Sequence, residues 1–478
     1  MGNLVIEWES APARGKGSQS MGSEIERDEV SSSGEIGRRK FLGLGIAAVG
    51  GAVLAACGSG SSSSTTTAAA AAGTTTTGAP ARQTGPIVLA GPQDNSGTIT
   101  ILINQWNNAN PDTPVSFQTI PPTTNDVYNQ YVTALAGGAS TPDVLTMDVT
   151  YPGTFAAAGW VLPLDQYASS SFQSGFIPTA LDIGKYKGKL YAIPQSIDVG
   201  QLYYRTDLLA KYNEKVPTTY AELVRIAEKV QAGERASNPN FWGYVWEGAQ
   251  IEAIFDEFCE YTWGYGGEIS SGSKVTLDTA AGNKSLQFLY DCIYTTKISP
   301  PGTSTMKPND ALVLMQNGNA LFMRNWTYAY TLANSPTQSK VPGMVSNAPL
   351  PGLTDGSGHG CTGGWMYGIN AKSTRPEAAW RVVQYLTSQA QQIQLTAGAG
   401  LLSARKDVQA NTELLVKSPN LKNLPTILAS AKARPSIQNY PAVSTTLQAP
   451  LNSVIAKQSS VSAGLSAMQA AVGSAVVA

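Results

Sequence analysis

The sequence predicts an α/β fold organised in two lobes or domains. From about residue 86 onward, strand-like and helix-like segments alternate along the chain, which is the order expected of an α/β fold. Residues 114–120 and 142–147 are short apolar runs bounded by turn residues and predict strands, and residues 128–135 between them predict a helix. Without its N-terminal leader the chain retains roughly 420 residues, more than one typical hydrophobic core contains.

Two further helices are indicated by their first turns. Thr219 and Glu222 have the spacing of a capping box, in which each side chain accepts a hydrogen bond from the other residue's backbone N–H. Apolar residues between 223 and 230 then recur at i, i+3, i+4 and i+7, which predicts one buried stripe. Pro376 begins a second segment with the same periodicity, so we expect a helix there as well.

Residues 1–56 have the layout of an export signal. Arg38 and Arg39 precede a Gly/Ala-rich apolar run of about 14 residues, which ends in the sequence Leu-Ala-Ala-Cys at 54–57. This run is too short to span a bilayer core, which needs about 20 residues. The paired arginines resemble a Tat signal, and Sec export stays open because neighbouring positions depart from the Tat consensus. The final four residues resemble a lipobox, in which Cys57 is lipidated.

Residues 57–85 predict a lipidated cysteine followed by a flexible tether. After Cys57 the segment consists almost entirely of Gly, Ser, Thr and Ala, a composition that cannot bury a core. A coil of about 27 residues reaches roughly 30 Å. We therefore expect an exported protein that its lipid anchor holds at the outer face of the cytoplasmic membrane, either on the cell surface or in a periplasm.

Composition excludes several classes of function. The net charge is −1, and no basic stripe is visible, so we expect no nucleic-acid partner. The single histidine, His359, leaves little room for His-based metal sites or for catalysis by a Ser-His-Asp triad. No Gly-rich phosphate loop is present. We expect neither a cofactor nor a metal, and the 20 Tyr and 9 Trp with only 14% charged residues suit a neutral polar ligand.

The cysteine count leaves two alternatives open. Once Cys57 is assigned to lipid, Cys259, Cys292 and Cys361 remain. An extracytoplasmic address permits a Cys259–Cys292 disulfide with one free thiol, and three buried thiols are equally compatible with the sequence.

Seven segments, taken in order, resemble the extracellular solute-binding proteins of carbohydrate transporters. Each motif is weak alone, but their order is specific, and the resemblance covers about 90–470. The segments are 142–148, 157–165, 188–194, 202–209, 217–219, 318–326 and 363–369. Within this class the chain is most similar to trehalose/maltose-binding proteins, through 148–152, 155–160, 324–328 and 434–435.

The resemblance implies the two-lobed periplasmic-binding-protein type II fold. The first lobe would comprise 86–197 and 363–405, and the second would comprise 200–360 and 406–478. The ligand would lie in the cleft between them, and hinge crossings would allow closure. The implied function is that of a non-enzymatic, monomeric component of an ABC importer. It would capture a sugar, such as the α-linked disaccharides trehalose or maltose, and deliver it to the permease subunits.

The resemblance and the chemistry of sugars together give nine candidate ligand-binding residues. Carboxylates accept strong hydrogen bonds from sugar hydroxyls, aromatic rings cover the C–H face, and an arginine fork donates to oxygens. The candidates are Asp94, Asp148, Asp198, Glu252, Trp326, Tyr328, Gly364, Trp365 and Arg434.

Each kind of candidate also has a structural alternative. Asp148 follows an apolar strand, where open α/β sheets place ligand groups, but a carboxylate there can also cap a helix. Asp198 lies at the expected first crossing and could be a hinge turn residue. Glu252 could brace the second lobe, and Arg434 could form a surface ion pair. The aromatic candidates could be core.

Two other functions compete with sugar transport. A binding protein for a non-sugar solute, such as a polyol phosphate, a peptide or a siderophore, would share the fold. A glycosidase would need two carboxylates at a defined separation, for which Asp94, Asp148, Asp198 and Glu252 are the available residues.

Overall fold

A computed structural model describes residues 82–121, 123–435, 437 and 439–473. The predicted export signal, Cys57 and nearly all of the predicted tether lie outside these residues. The strands are β1 (Ile87–Pro92), β2 (Val115–Ile120), β3 (Val144–Asp148), β4 (Lys185–Tyr186), β5 (Lys189–Leu190), β6 (Ala192–Val199), β7 (Gln201–Arg205), β8 (Trp242–Val245), β9 (Ser270–Ser271), β10 (Lys274–Val275), β11 (Ala320–Asn325), β12 (Val345–Ala348), β13 (Cys361–Ile369) and β14 (Lys432–Ala433). The α-helices are α1 (Thr98–Ala109), α2 (Thr124–Ala136), α3 (Pro152–Ala157), α4 (Ser170–Ser174), α5 (Pro178–Asp182), α6 (Thr206–Lys211), α7 (Tyr220–Glu234), α8 (Glu252–Gly264), α9 (Ala280–Tyr294), α10 (Pro308–Gln316), α11 (Ala329–Ala333), α12 (Pro376–Leu386), α13 (Gln389–Ala399), α14 (Lys406–Gln409), α15 (Thr412–Lys417), α16 (Leu424–Ala429), α17 (Tyr440–Ile455) and α18 (Val461–Val472).

The first lobe is built on a sheet with the order β14-β13-β3-β1-β2, and β6 also pairs with β13. Strands β2, β1 and β3 are parallel, whereas β13 runs antiparallel to both β3 and β6. Alternate residues of β1 face opposite sides of the sheet, as the two-residue period of a strand requires. Leu89 packs in a cluster with α1, α12 and α13, and Ala90 packs in another with α2 and α3. The sheet is thus covered on both faces.

The second lobe is built on a four-stranded sheet with the order β12-β7-β11-β8. Here β11 is parallel to β8, and β7 is antiparallel to β11 and β12. Its larger core contains buried side chains of α7, α8, α9, α17 and α18. The two sheets with covering helices confirm the predicted two-lobed α/β fold. The residue limits of the lobes stay a prediction, although β14, which falls in a segment predicted for the second lobe, pairs in the first sheet.

The two sheets are connected by strands that run almost directly from one into the other. Strand β6 of the first sheet is followed by Gly200 alone before β7 of the second sheet begins. The chain returns when β12 of the second sheet is followed by β13 of the first. The backbone of Gly200 donates to the carbonyl oxygen of Cys361 (N···O 3.0 Å), so these two crossings lie side by side.

Most of the strands and helices predicted from local sequence signals are found at the predicted positions. Strands β2 and β3 match the two predicted apolar runs, and Pro376 is the first residue of α12. Helix α2 begins four residues earlier than predicted, because Thr123 caps it by accepting a hydrogen bond from the backbone of Asp126 (3.1 Å). The capping box at the start of α7 forms as predicted.

Two further observations concern the state of the cysteines and the presence of membrane-spanning helices. Cys259, Cys292 and Cys361 are buried free thiols, so the alternative without a Cys259–Cys292 disulfide holds. Among the helices of the described residues, none has both the length and the apolar character that a membrane crossing requires.

Substitution of Thr219 by Ala tests the start of α7. The hydroxyl of Thr219 accepts from the backbone N–H of Glu222 (3.2 Å), and the Glu222 carboxylate accepts from the backbone of Thr219 (3.2 Å). T219A should lower the free energy of unfolding by about 1 kcal/mol, as measured by urea denaturation. T219S keeps the hydroxyl and should retain most of the stability; equal losses in both variants would contradict the capping role.

Candidate functional site

A cavity of about 410 Å³ lies between the two sheets. The first lobe contributes Asp148 at the end of β3 and Trp365 in β13, and the second contributes Trp326 directly after β11. Eight of the nine predicted residues line this cavity: Asp94, Asp148, Asp198, Trp326, Tyr328, Gly364, Trp365 and Arg434. The fold therefore brings together residues that are separated by as much as 340 positions in the sequence.

Strand register explains why the residues of the first lobe meet. In the antiparallel pair of β13 and β3, Trp365 lies opposite Asp148. In the pair of β13 and β6, Gly363 lies opposite Asp198. Gly364 between them has φ +137°, and a Cβ at this position would lie 2.4 Å from the carbonyl oxygen of Ser196. Only glycine fits this backbone approach.

Arg434 forms the charged centre of the site. Its guanidinium donates to Asp148 (Nη2···Oδ1 3.0 Å) and to Glu252 (Nη1···Oε1 3.2 Å), with the Arg434 side chain only 6% exposed. Its Nε lies 3.9 Å from Asp256 Oδ1, too far for a hydrogen bond. Arg434 follows β14, whereas Asp148 ends β3 and Glu252 begins α8. The ion pairs thus join a strand of the first sheet to a helix of the second lobe.

The two carboxylates that bind Arg434 differ in their access to the cavity. Asp148 lines the cavity and also accepts from the backbone N–H and hydroxyl of Thr150 (2.9 and 2.7 Å). Glu252 is not among the residues that line the cavity. It accepts from Tyr440 (Oη···Oε1 2.6 Å) and Ser444. These contacts agree with the alternative given for Glu252 in the sequence analysis, in which it braces the second lobe instead of binding the ligand.

Asp198 is held by the residues that follow β11. Its Oδ1 accepts from the backbone N–H (2.8 Å) and hydroxyl (2.7 Å) of Thr327 and from the backbone of Val199 (2.9 Å). Its other oxygen, Oδ2, has no hydrogen-bond donor within the described part of the chain. Burial raises the pKa of Asp198 to about 6, against the hydrogen bonds from Thr327, which lower it. Asp198 lies inside β6 rather than in a turn.

The aromatic candidates lie on both sides of the cavity. Trp326 and Tyr328 are partly buried on the second lobe, and Trp365 is partly buried on the first. The Trp326 ring lies against the guanidinium of Arg324 (Cζ 4.2 Å from the ring centroid). The hydroxyl of Tyr328 faces Asn309 (3.4 Å). Aromatic faces opposite carboxylates suit a ligand with both apolar C–H surface and hydroxyl groups.

Asp94 lines the cavity and also accepts hydrogen bonds from its own loop. Its Oδ1 accepts from the backbone of Ser96 (2.9 Å) and its Oδ2 accepts from the backbone of Ile99 (2.7 Å), at the start of α1. Both oxygens therefore fix the loop after β1, and the carboxylate retains only its remaining lone pairs for a ligand.

Sequence reasoning missed several polar residues that line the same cavity: Gln93, Asn95, Gln195, Asp256, Asn309 and Asp310. Asp256 had a usable signal, because it lies one helical turn after Glu252 and so on the same face of α8. Burial raises the pKa of Asp256 well above its usual range, which favours the neutral acid, a group that can donate as well as accept. The others follow β1, lie inside β6 or stand in the first turn of α10, without a local signal.

The described part of the chain shows no metal centre beside this cavity. His359 bonds through Nδ1 to the carbonyl oxygen of Ser430 (2.8 Å), which agrees with its interpretation as a loop histidine. No group of three or more His, Cys, Asp and Glu side chains in the described ranges has an arrangement that could hold a metal.

The family of the chain follows from comparison with known proteins. The family described as bacterial extracellular solute-binding protein matches residues 90–393. The chain belongs to this family. A probable ABC transporter-binding protein of Deinococcus radiodurans is 32% identical over 335 residues, which are 69% of this chain and 79% of the relative.

Solved structures agree with this assignment. A maltose-bound MalE3 of T. maritima has a TM-score of 0.76 and 32% identity, and the match covers 80% of this chain and 98% of that one. An ABC transporter solute-binding protein from Agrobacterium radiobacter K84, in complex with ribitol, has a TM-score of 0.72 and 25% identity over 80% and 97% of the chains. The chain is thus an exported binding protein and not an enzyme.

The raised pKa of Asp198 predicts a pH effect on stability. Because the folded state holds this proton more tightly than the unfolded state, its stabilising contribution is complete below about pH 4 and is lost as pH rises through about 6. The loss should be on the order of 3 kcal/mol. D198N cannot ionise but can still accept from Thr327.

The measurement is the difference in unfolding free energy between the wild type and D198N across pH 4–8, which cancels the other titrating groups. We expect the wild type to lose stability relative to D198N as pH rises. A constant difference would contradict the raised pKa.

Proposed function

We propose that this protein captures a neutral sugar, an α-linked disaccharide such as maltose or trehalose, for an ABC importer. The observation that carries the proposal is the composition of the cavity wall, to which both lobes contribute carboxylates and aromatic rings. Its volume of about 410 Å³ lies in the range of small-molecule sites. The T. maritima structure contains maltose, and the D. radiodurans relative is named for ABC transport; both support the proposal.

The charges of the wall favour a neutral ligand over an anionic one. Among the described residues, five aspartates line the cavity, at positions 94, 148, 198, 256 and 310, against the two cations Lys307 and Arg434. Burial favours the neutral form of Asp256, so the acidic character of the wall comes from the other four. Arg434 is already paired with Asp148 and Glu252. A phosphate or carboxylate on the ligand would therefore meet acidic groups with only Lys307 to offset them. This argues against the polyol-phosphate alternative.

The contacts divide the candidate residues into roles. Asp198 would accept ligand hydroxyls through Oδ2, and Asp148, oriented by Arg434, would accept others. Trp326, Tyr328 and Trp365 would cover the C–H faces of the sugar. Gly364 lets the backbone of β13 lie close to that of Ser196 in β6. Glu252 would act through Arg434, which it binds, instead of touching the sugar.

An acyclic polyol is the second candidate ligand. It presents the same vicinal hydroxyls, and the structural relative from A. radiobacter is complexed with ribitol. A linear polyol lacks the flat C–H face of a pyranose, so it would depend less on Trp326.

A binding screen identifies the ligand. Thermal shift of the protein from about residue 82 onward, against maltose, trehalose, sucrose, ribitol and glycerol phosphate, should show a rise in Tm with one neutral disaccharide. A ligand at 100 times its Kd adds about 2.7 kcal/mol of stability. The Tm shift should be lost in W326A. The matched control is W242A. Trp242, in β8, is also partly buried and also lies against an arginine, Arg235, but it does not line the cavity.

A response confined to glycerol phosphate would contradict the proposal. A shift with ribitol that W326A retains would select the polyol instead. Equal losses in W326A and W242A would mean that the tryptophan acts through stability and not through contact with the ligand.

We further propose that Cys57 carries lipid and anchors the protein to the membrane, delivering its ligand to permease subunits as a monomer. C57S should release the exported protein from the membrane fraction into the soluble fraction, as followed by fractionation and immunoblotting. C292S, which alters a buried thiol, is the control and should stay with the membrane. Membrane retention of C57S would contradict the anchor.

A further inference from the structure

Arg324 lies beneath the aromatic wall of the cavity but does not line it. It is in β11, two residues before Trp326, and is completely buried. Its guanidinium binds Glu260 in a bidentate manner (Nε···Oε2 2.9 Å, Nη2···Oε1 2.6 Å) and Glu247 through Nη1 (2.7 Å). Two carboxylates thus fix both the position and the plane of the guanidinium.

The fixed guanidinium lies against the Trp326 ring. Its Cζ is 4.2 Å from the ring centroid, within the distance of a cation–π interaction, and such contacts are strongest when they are desolvated. Trp326 lies on the cavity wall, and its carbonyl oxygen accepts from Tyr203 (2.7 Å). The ring is therefore held through its backbone by one contact and through its face by Arg324.

The same ion pair contacts both strand crossings between the lobes. Glu260 Oε1 accepts from the backbone N–H of Cys361 (2.9 Å), at the start of β13. At Gly200, between β6 and β7, an added Cβ would lie 1.9 Å from Glu260 Oε1 and 2.4 Å from Arg324 Nη2. The backbone of this crossing hence packs directly on the ion pair.

We propose that Arg324 is a positioning residue for ligand binding, which holds the Trp326 ring in its binding orientation and links it through Glu260 to the two crossing strands. The inference rests on the proposed function of the cavity. A bulkier or less planar group at 324 would free the ring. A movement of the crossings would be transmitted to the ring through Glu260.

A purely stabilising role does not account for the arrangement. Buried ion pairs contribute little net stability compared with apolar residues of similar volume. Arg205 offers the comparison in the same sheet, because it is also buried and binds Asp207 in a bidentate manner (2.7 and 2.6 Å). Arg205 does not line the cavity, and no aromatic ring of the described residues lies against its guanidinium. Arg324 differs in its contact with the ring.

The test is a double-mutant cycle with R324K, W326A and R324K/W326A, with R205K as the matched control. Lysine keeps the charge but lacks the planar fork. Affinity for maltose is measured by calorimetry, and near-UV circular dichroism is recorded without ligand. We expect R324K to weaken maltose binding about tenfold, a change equivalent to about 1.4 kcal/mol. We expect R324K/W326A to match W326A, and R205K to match the wild type. R324K should change the near-UV spectrum only when Trp326 is present.

Additive losses in the cycle, or a loss in R205K equal to that in R324K, would overturn the proposal. If R324K does not fold, E260Q takes its place, since it removes the charge of the bidentate partner but keeps its shape. If maltose does not bind the wild type, the proposed sugar is wrong, and the near-UV cycle alone decides the role of Arg324. An R324K spectrum that changes equally without Trp326 would then reject it.

Discussion

The buried guanidinium of Arg434 connects the two sides of the cleft through ion pairs. Arg434 binds Asp148 at the end of a strand of the first lobe and Glu252 at the start of a helix of the second. Removing one partner of such a pair leaves an uncompensated buried charge, at a cost of about 3–5 kcal/mol. Within the wall, Arg434 orients the carboxylate of Asp148 and neutralises part of the acidic lining. A ligand carrying its own charge would disturb that balance.

The second constraint is the short path between the two sheets. With only Gly200 between β6 and β7, Asp198 in the first sheet lies beside the residues that follow β11 in the second, and Thr327 binds its carboxylate. Acceptors and aromatic rings of both lobes thereby line one cavity. Closure of the lobes around a ligand would use these same crossings.

The sequence predicted what depends on neighbours along the chain. Thr219 and Glu222 are three residues apart, so their capping box was visible, and the apolar run before Asp148 identified its strand. The role of Glu252 was left open because its partners, Arg434 and Tyr440, lie more than 180 residues away. Asp94 lines the cavity, but its bonds to Ser96 and Ile99 depend on the conformation of the loop, which the sequence does not reveal.

Residue type alone also could not reveal Arg324, because Glu247 and Glu260, which lie 77 and 64 positions away in the sequence, meet it only in the folded second lobe. The most direct test of the proposed ligand site is a crystal structure of the protein with maltose. We predict that a sugar hydroxyl donates to Asp198 Oδ2 and that a pyranose ring stacks on Trp326. Maltose bound outside this cavity, or bound within it without contact to either residue, would contradict the account.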